Sequence, residues 1–94
     1  MEIKQIEHGS KGGFVIEKDN ERLAEMTYSK AGDKLIIIDH TEVSDKLRGT
    51  GVGKQLVMKA VEYARNNHIK ILPLCPFARS VFDKTPEVAD VWGK

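Results

Sequence analysis

The sequence predicts a mixed α/β domain in the order β-β-β-β-α-β-α, an antiparallel meander followed by a crossover helix and one parallel strand. Three observations predict it. Apolar residues in the first half fall in short segments separated by turn residues. From residue 52 the period changes to that of an amphipathic helix, and 94 residues leave room for one core only, so the domain is 1–94.

Taken in order, residues 3–8 read as a weak strand closed by a turn over the glycine-rich stretch 9–13. Residues 14–18 form a better strand, and Asp19, Asn20 and Glu21 read as a hairpin turn. In 23–29, Ala24, Met26 and Tyr28 alternate with Leu23, Glu25, Thr27 and Ser29, the pattern of a half-buried strand. After a turn at 31–33, residues 34–43 have the aliphatic centre of a central strand. Val52, Leu56, Val57, Ala60, Val61 and Ala64 mark one face of a helix, capped by Gly49 or Thr50 and ended at Asn66 and Asn67, since asparagine tolerates left-handed backbone. Residues 69–75 form a strand interrupted by Pro73, and Pro76 starts a second helix over 77–84. The tail 87–94 is left without assignment.

Composition narrows the function. Apolar residues at 40% and charged residues at 31% describe an ordinary globular chain, neither disordered nor fibrous. The longest aliphatic run, Leu35 to Ile38, is far short of the roughly 20 residues of a membrane span. The polar start at 1–5 does not read as a signal peptide, so the cytoplasm is the expected address. One cysteine, Cys75, excludes an internal disulfide and a cysteine-rich zinc site, and His8 and His68 have no ligand-spaced partners, so no metal is expected. The net charge of +1 gives no footing for nucleic acid. It is unevenly spread: residues 1–47 hold 7 basic and 10 acidic groups, residues 48–94 hold 8 and 4.

The chemistry concentrates between the fourth strand and the first helix, in Arg48, Gly49, Thr50, Gly51, Val52, Gly53 and Lys54. Alternating glycines at a helix start let backbone N–H groups approach an anion, and Arg48 and Lys54 add charge. A diphosphate is the expected ligand. A Walker A loop does not fit, because Gly53-Lys54 is followed by Gln55 and position 48 is Arg. The Gly-x-Gly-x-x-Gly fingerprint fails because the third glycine falls at 53. Arg48-x-x-Gly51-x-Gly53, with Val43 five residues before the arginine, resembles the pyrophosphate loop of the GNAT superfamily of acyl-CoA-dependent N-acetyltransferases.

That resemblance covers about residues 34–84 and implies acetyl-CoA as cosubstrate and an amine as acceptor. It implies that the fourth and fifth strands splay apart near Pro73, with backbone groups of Thr41, Glu42 and Val43 holding the pantetheine. Phe77 and Lys84 of the second helix join the cofactor set, Phe77 otherwise reading as a core or lid residue. The family's Asn-x-x-Ala-x-x-Phe-Tyr-Glu-Lys aligns with residues 75–84. Cys75 then takes the asparagine's place and Phe82 the tyrosine's, so the usual acid is absent. Cys75, before a helix start, is the candidate to protonate the leaving thiolate or to attack the thioester; the bland reading is a buried structural cysteine. His40 and Glu42, two apart on one strand, share a face: the imidazole can take the amine's proton and the carboxylate can attract a cationic amine.

The expected function is therefore acetyl-CoA-dependent N-acetylation of a primary amine, such as a lysine or a protein N-terminus. A non-catalytic acyl-CoA-binding or sensing module is the alternative, and an interaction protein whose glycine loop is a mere turn is a further one. Neither nucleic acid nor membrane is an expected partner, and the chain is expected to be a monomer or weak homodimer.

Overall fold

A computed structural model describes residues 2–93 of the chain. Five strands form one sheet in sequential order: β1 (Lys4–His8), β2 (Lys11–Lys18), β3 (Glu21–Lys30), β4 (Leu35–Val43) and β5 (Lys70–Pro73). Neighbours are antiparallel except β4 and β5, which the crossover helix α1 (Val52–Asn66) joins in parallel. A second helix, α2 (Pro76–Lys84), follows β5, and a 3-10 segment (Pro86–Val91) follows α2. The order is the one the sequence predicts.

The core lies between one face of the sheet and α1. Phe14, Ile16, Ala24, Met26, Tyr28, Ile36, Ile38 and Ile71 meet the predicted helix stripe Val52, Leu56, Val57, Ala60, Val61 and Ala64, all buried. Each large aliphatic side chain so buried contributes about 1.5–3 kcal/mol before the entropy of ordering is counted.

Local expectations fail where tertiary contacts decide. The stretch 9–13 is a turn only at Gly9 and Ser10, with Gly9 at φ +60°. Gly12 and Gly13 belong to β2: a Cβ at Gly12 would lie 2.5 Å from the Tyr28 ring, and one at Gly13 would lie 3.0 Å from the Met26 carbonyl. Those glycines serve close approach rather than turning. At the hairpin tip Asp19 and Asn20 take φ +53° and +65°, the paired left-handed turn that suits a twisted two-residue connection. At the end of α1 the left-handed residue is His68, not an asparagine; Asn67 instead bonds the Tyr63 carbonyl through both its backbone N–H (3.1 Å) and its side-chain amide (2.8 Å).

β5 is shorter than expected, because pairing to β4 ends at Pro73. The tail is ordered: Val88 and Val91 are buried, Trp92 bridges Ile71, and the Gly93 N–H donates to the Ile71 carbonyl at 2.7 Å. This segment covers the outer edge of β5. Lys94 lies outside the described residues.

Candidate functional site

The connection from β4 to α1 begins with a 3-10 turn at Asp45–Leu47, where the Lys46 N–H donates to Ser44 Oγ at 3.2 Å. Gly49 and Gly51 then take φ +81° and +79°, left-handed values that favour glycine. Gly51 is the N-cap of α1, in place of the expected Gly49 or Thr50, because the Thr50 hydroxyl donates to the Leu47 carbonyl and closes the preceding turn. No side chain caps α1, and its first turn carries no acidic residue. The helix therefore presents its first N–H groups and the positive end of its dipole without an internal acceptor.

These groups face a cleft of about 410 Å³ between the loop and α2. Of the residues expected to hold a cofactor, Val43, Arg48, Gly49, Gly51, Val52, Gly53, Lys54, Phe77 and Lys84 line it; Thr41, Glu42 and Thr50 do not. Leu47, Ser80, Val81 and Thr85 complete its walls and were not singled out from the sequence. A signal for two of them was present, since Phe77, Ser80, Val81 and Lys84 fall at i, i+3, i+4 and i+7, one face of α2. Gly53 has a different reason from the other two loop glycines. Its φ is negative, and a Cβ there would lie 2.6 Å from the ring of Phe77, which leans across the helix start.

The charges of the cleft are available. Arg48 pairs with Asp45 at 2.9 Å, but the two side chains are 79% and 87% exposed, and such a pair holds weakly. Lys54 on α1 and Lys84 on α2 form no ion pair among the described residues. A polyanion can thus meet backbone donors and cations from both walls.

Behind the cleft the sheet divides. The last β4–β5 partners are Ile38 and Pro73; proline has no N–H to continue a ladder, and the N–H groups of Leu74 and Cys75 both turn back to the Ile38 carbonyl at 3.0 Å. Residues 39–43 keep β3 on one edge and have no β5 partner on the other. A β-bulge sits at this point: His40 stands opposite Thr27 and Ile38 opposite Tyr28, and Asp39 between them is the extra residue. It changes which residues share a face. Thr41 and Val43 stand opposite the buried Met26 and Ala24, on the helix-covered side, while His40 and Glu42 stand opposite Thr27 and Glu25 on the other.

His40 Nε2 lies 3.2 Å from Glu42 Oε2, and both side chains are well exposed. Cys75, the N-cap of α2 and 5% exposed, donates its thiol to Thr41 Oγ1 at 3.3 Å across the gap between the strands. Phe82 is buried with its ring edge-on to Trp92, centroids 5.4 Å apart, so the position of the family's tyrosine is filled by a core side chain. Among the described residues no three His, Cys, Asp or Glu side chains gather as a metal site, and no helix is long and apolar enough to cross a membrane.

The sequence profile of the GCN5-related N-acetyl-transferase family matches residues 13–91. The chain belongs to that family. Among solved structures, this GCN5-related chain is similar to a GCN5-like protein from Staphylococcus aureus, at 46% identity and a TM-score of 0.76, over 97% of this chain and 86% of that one. An acetyltransferase from Elizabethkingia anophelis with acetyl-CoA bound shares the fold at 20% identity and a TM-score of 0.58, over 69% of this chain and 43% of that one. Protein NATD1 of Xenopus tropicalis is 29% identical over 63 residues, 67% of this chain and 58% of its own length. The chain thus spans little more than half of that curated relative.

Proposed function

We propose that this GCN5-related chain is an acetyl-CoA-dependent N-acetyltransferase acting on a primary amine. The observation that carries the proposal is the meeting of two features at Val43, which lines the cleft with the uncapped helix start and the two lysines and also ends the stretch of β4 that has no β5 partner.

Acetyl-CoA supplies the acyl group as an activated thioester. The residues present fit it. Gly49 and Gly51 shape the loop so that N–H groups of residues 51–54 converge, and Arg48, Lys54 and Lys84 neutralise phosphate charge. The free edge of Thr41, Glu42 and Val43 offers backbone groups to the pantetheine amides.

His40 accepts the proton of the incoming ammonium, and Glu42, 3.2 Å from its ring, orients it and attracts the cation. Cys75 holds a proton at Sγ for the thiolate leaving group. Thr41 Oγ1 fixes the direction of the S–H. In this reading the amine approaches from the open face, which carries His40 and Glu42, while the Cys75 thiol stays with Thr41 on the helix face.

Titrating acetyl-CoA into ¹⁵N-labelled protein should shift amides in 41–54 and 75–84; silence there refutes cofactor binding. With binding established, Cys75→Ala is expected to lower turnover of an acceptor amine about 100-fold with acetyl-CoA affinity unchanged. Unaltered turnover makes the cysteine structural. Phe82 in place of the family's tyrosine favours a second reading, a non-catalytic acyl-CoA-binding module, which predicts the same amide shifts with no turnover on any amine.

A further inference from the structure

Asp39 is the extra residue of the β4 bulge, and neither the cleft nor the reaction proposed above uses its side chain. Its carboxylate accepts the Thr27 hydroxyl at 2.5 Å and the Ser29 hydroxyl at 3.5 Å on the open face of the sheet. These two residues flank Tyr28 on β3, and Tyr28 pairs with Ile38, the last residue before the register shifts. The carboxylate therefore grips β3 on both sides of the shift. Lys11 on β2, the cross-strand partner of Ser29, donates to the Ser29 oxygen at 2.9 Å. A hydroxyl has one proton, so a serine that accepts from Lys11 turns that proton toward Asp39. A polar row thus runs over three strands and ends at the bulge.

The same place is held from the other side. The Ile38 carbonyl accepts the Leu74 and Cys75 N–H groups, both at 3.0 Å, as the chain leaves β5. Residues 38 and 39 are the fork of the sheet, tied to β5 through a backbone carbonyl and to β3 through a side chain. Had β4 kept the register of its residues 36–38, Asp39 would stand opposite Thr27, His40 opposite Met26 and Thr41 opposite Glu25. His40 and Glu42 would then face the helix, and Thr41 would face away from Cys75. Residues 39–42 are all polar, the kind of segment whose register apolar burial specifies only weakly.

We propose that Asp39 is a positioning residue for acetyl transfer: through Thr27 and Ser29 its carboxylate fixes the bulge that holds His40 and Glu42 on one side of the sheet and Thr41, with its bond to Cys75, on the other. The inference rests on the acetyltransferase reading and adds a residue that touches neither cofactor nor amine. A hydroxyl-to-carboxylate bond is stronger than one between neutral groups, which suits a clasp at the surface.

Two variants remove the clasp from its two ends, Asp39→Ala and the near-isosteric Thr27→Val. Without ligand, each should shift the amides of 39–43 and of Cys75 and leave those of 48–54 in place. With acetyl-CoA and an acceptor amine, each should lower kcat at least about 10-fold. Affinity for CoA should fall, since the pantetheine is assigned to 41–43, while affinity for phospho-ADP, the fragment of CoA without pantetheine, should stay the same. Asp39→Asn and Thr27→Ser, which keep an acceptor and a donor, should recover most of the loss. The double variant Asp39→Ala with Thr27→Val should be no worse than either single one, because both break the same contact. Unchanged kcat, losses that add in the double variant, or conservative variants as impaired as Asp39→Ala overturn the assignment while acetyl-CoA binding stands. Failure of acetyl-CoA itself to shift 41–54 in the unaltered chain overturns the acetyltransferase reading beneath it, whereas the ligand-free shifts at 39–43 report on the clasp alone.

Discussion

Two glycines in this protein lie under aromatic rings, and their surroundings differ. Gly12 in β2 sits beneath Tyr28, whose ring is fully buried and whose hydroxyl is fixed twice, donating to Glu7 at 2.6 Å and accepting from Gln5 at 2.8 Å. Gly53 in α1 sits beneath Phe77, whose ring is 41% exposed at the mouth of the cleft and has no polar anchor. The same device, a missing Cβ filled by a ring, locks one end of the molecule and leaves the other adjustable. Around Tyr28 every polar group is partnered: Glu7 also takes Lys30 at 3.0 Å and Tyr63 at 3.4 Å, and Phe14, Tyr28 and Tyr63 pack ring to ring. Around Phe77 the helix start and two lysines are left open. Polar partners are complete at the Tyr28 end and open at the cleft.

The largest effect that can break this comparison is expected from Gly12→Ala. Its Cβ would meet a ring that cannot retreat without losing two hydrogen bonds, so the cost is about 1–3 kcal/mol in a urea unfolding experiment, with acetyl-CoA affinity unchanged. Gly53→Ala should give the reverse. The exposed ring of Phe77 can swing away, so stability should change by less than about 0.5 kcal/mol. The displaced ring then intrudes on the cleft, and acetyl-CoA affinity measured by calorimetry should fall about 10-fold, or roughly 1.4 kcal/mol. Adding Phe77→Ala to Gly53→Ala should restore part of it. A Gly53→Ala protein that unfolds as readily as Gly12→Ala would show that the two rings are equally fixed.

The smallest effect concerns acid. The hydrogen bond from Tyr28, followed by that from Lys30, holds the Glu7 carboxyl below the ordinary glutamate range. A depressed carboxyl adds stability that is fully present above its unfolded value and is lost as the pH falls through its folded value. The locked end should therefore weaken only below the ordinary glutamate range, and Glu7→Gln should flatten that acid limb of the stability profile. Burial and the same carboxylate push the Tyr28 phenol well above its ordinary value, so it remains a donor at any pH at which the protein is used.

Much of the candidate cleft was legible because its geometry is local. The spacing Arg48-x-x-Gly51-x-Gly53, the stripe from Val52 to Ala64 and the proline in β5 each act through residues a turn or a strand away. The loop glycines were read as one feature, yet Gly49 and Gly51 answer to backbone angle and Gly53 to Phe77, 24 positions on in the sequence. The stretch 9–13 misled for the same reason: Gly12 and Gly13 look like turn residues until Tyr28 and Met26 are seen above them.

The sequence alone determined the order of elements, the buried face of α1, the glycine loop that opens α1 and the shared face of His40 and Glu42. Tertiary structure decided which face that was. A bulge at Asp39 is a property of the pairing between β3 and β4, and one extra residue reverses every side chain after it, so the outcome cannot be read from β4 by itself. It also decided that Cys75 meets Thr41, 34 positions earlier, because only the crossover through α1 brings the end of β5 beside the bulged end of β4. Periodicity is written in neighbours along the chain. Contact across the gap depends on how the sheet closes around α1.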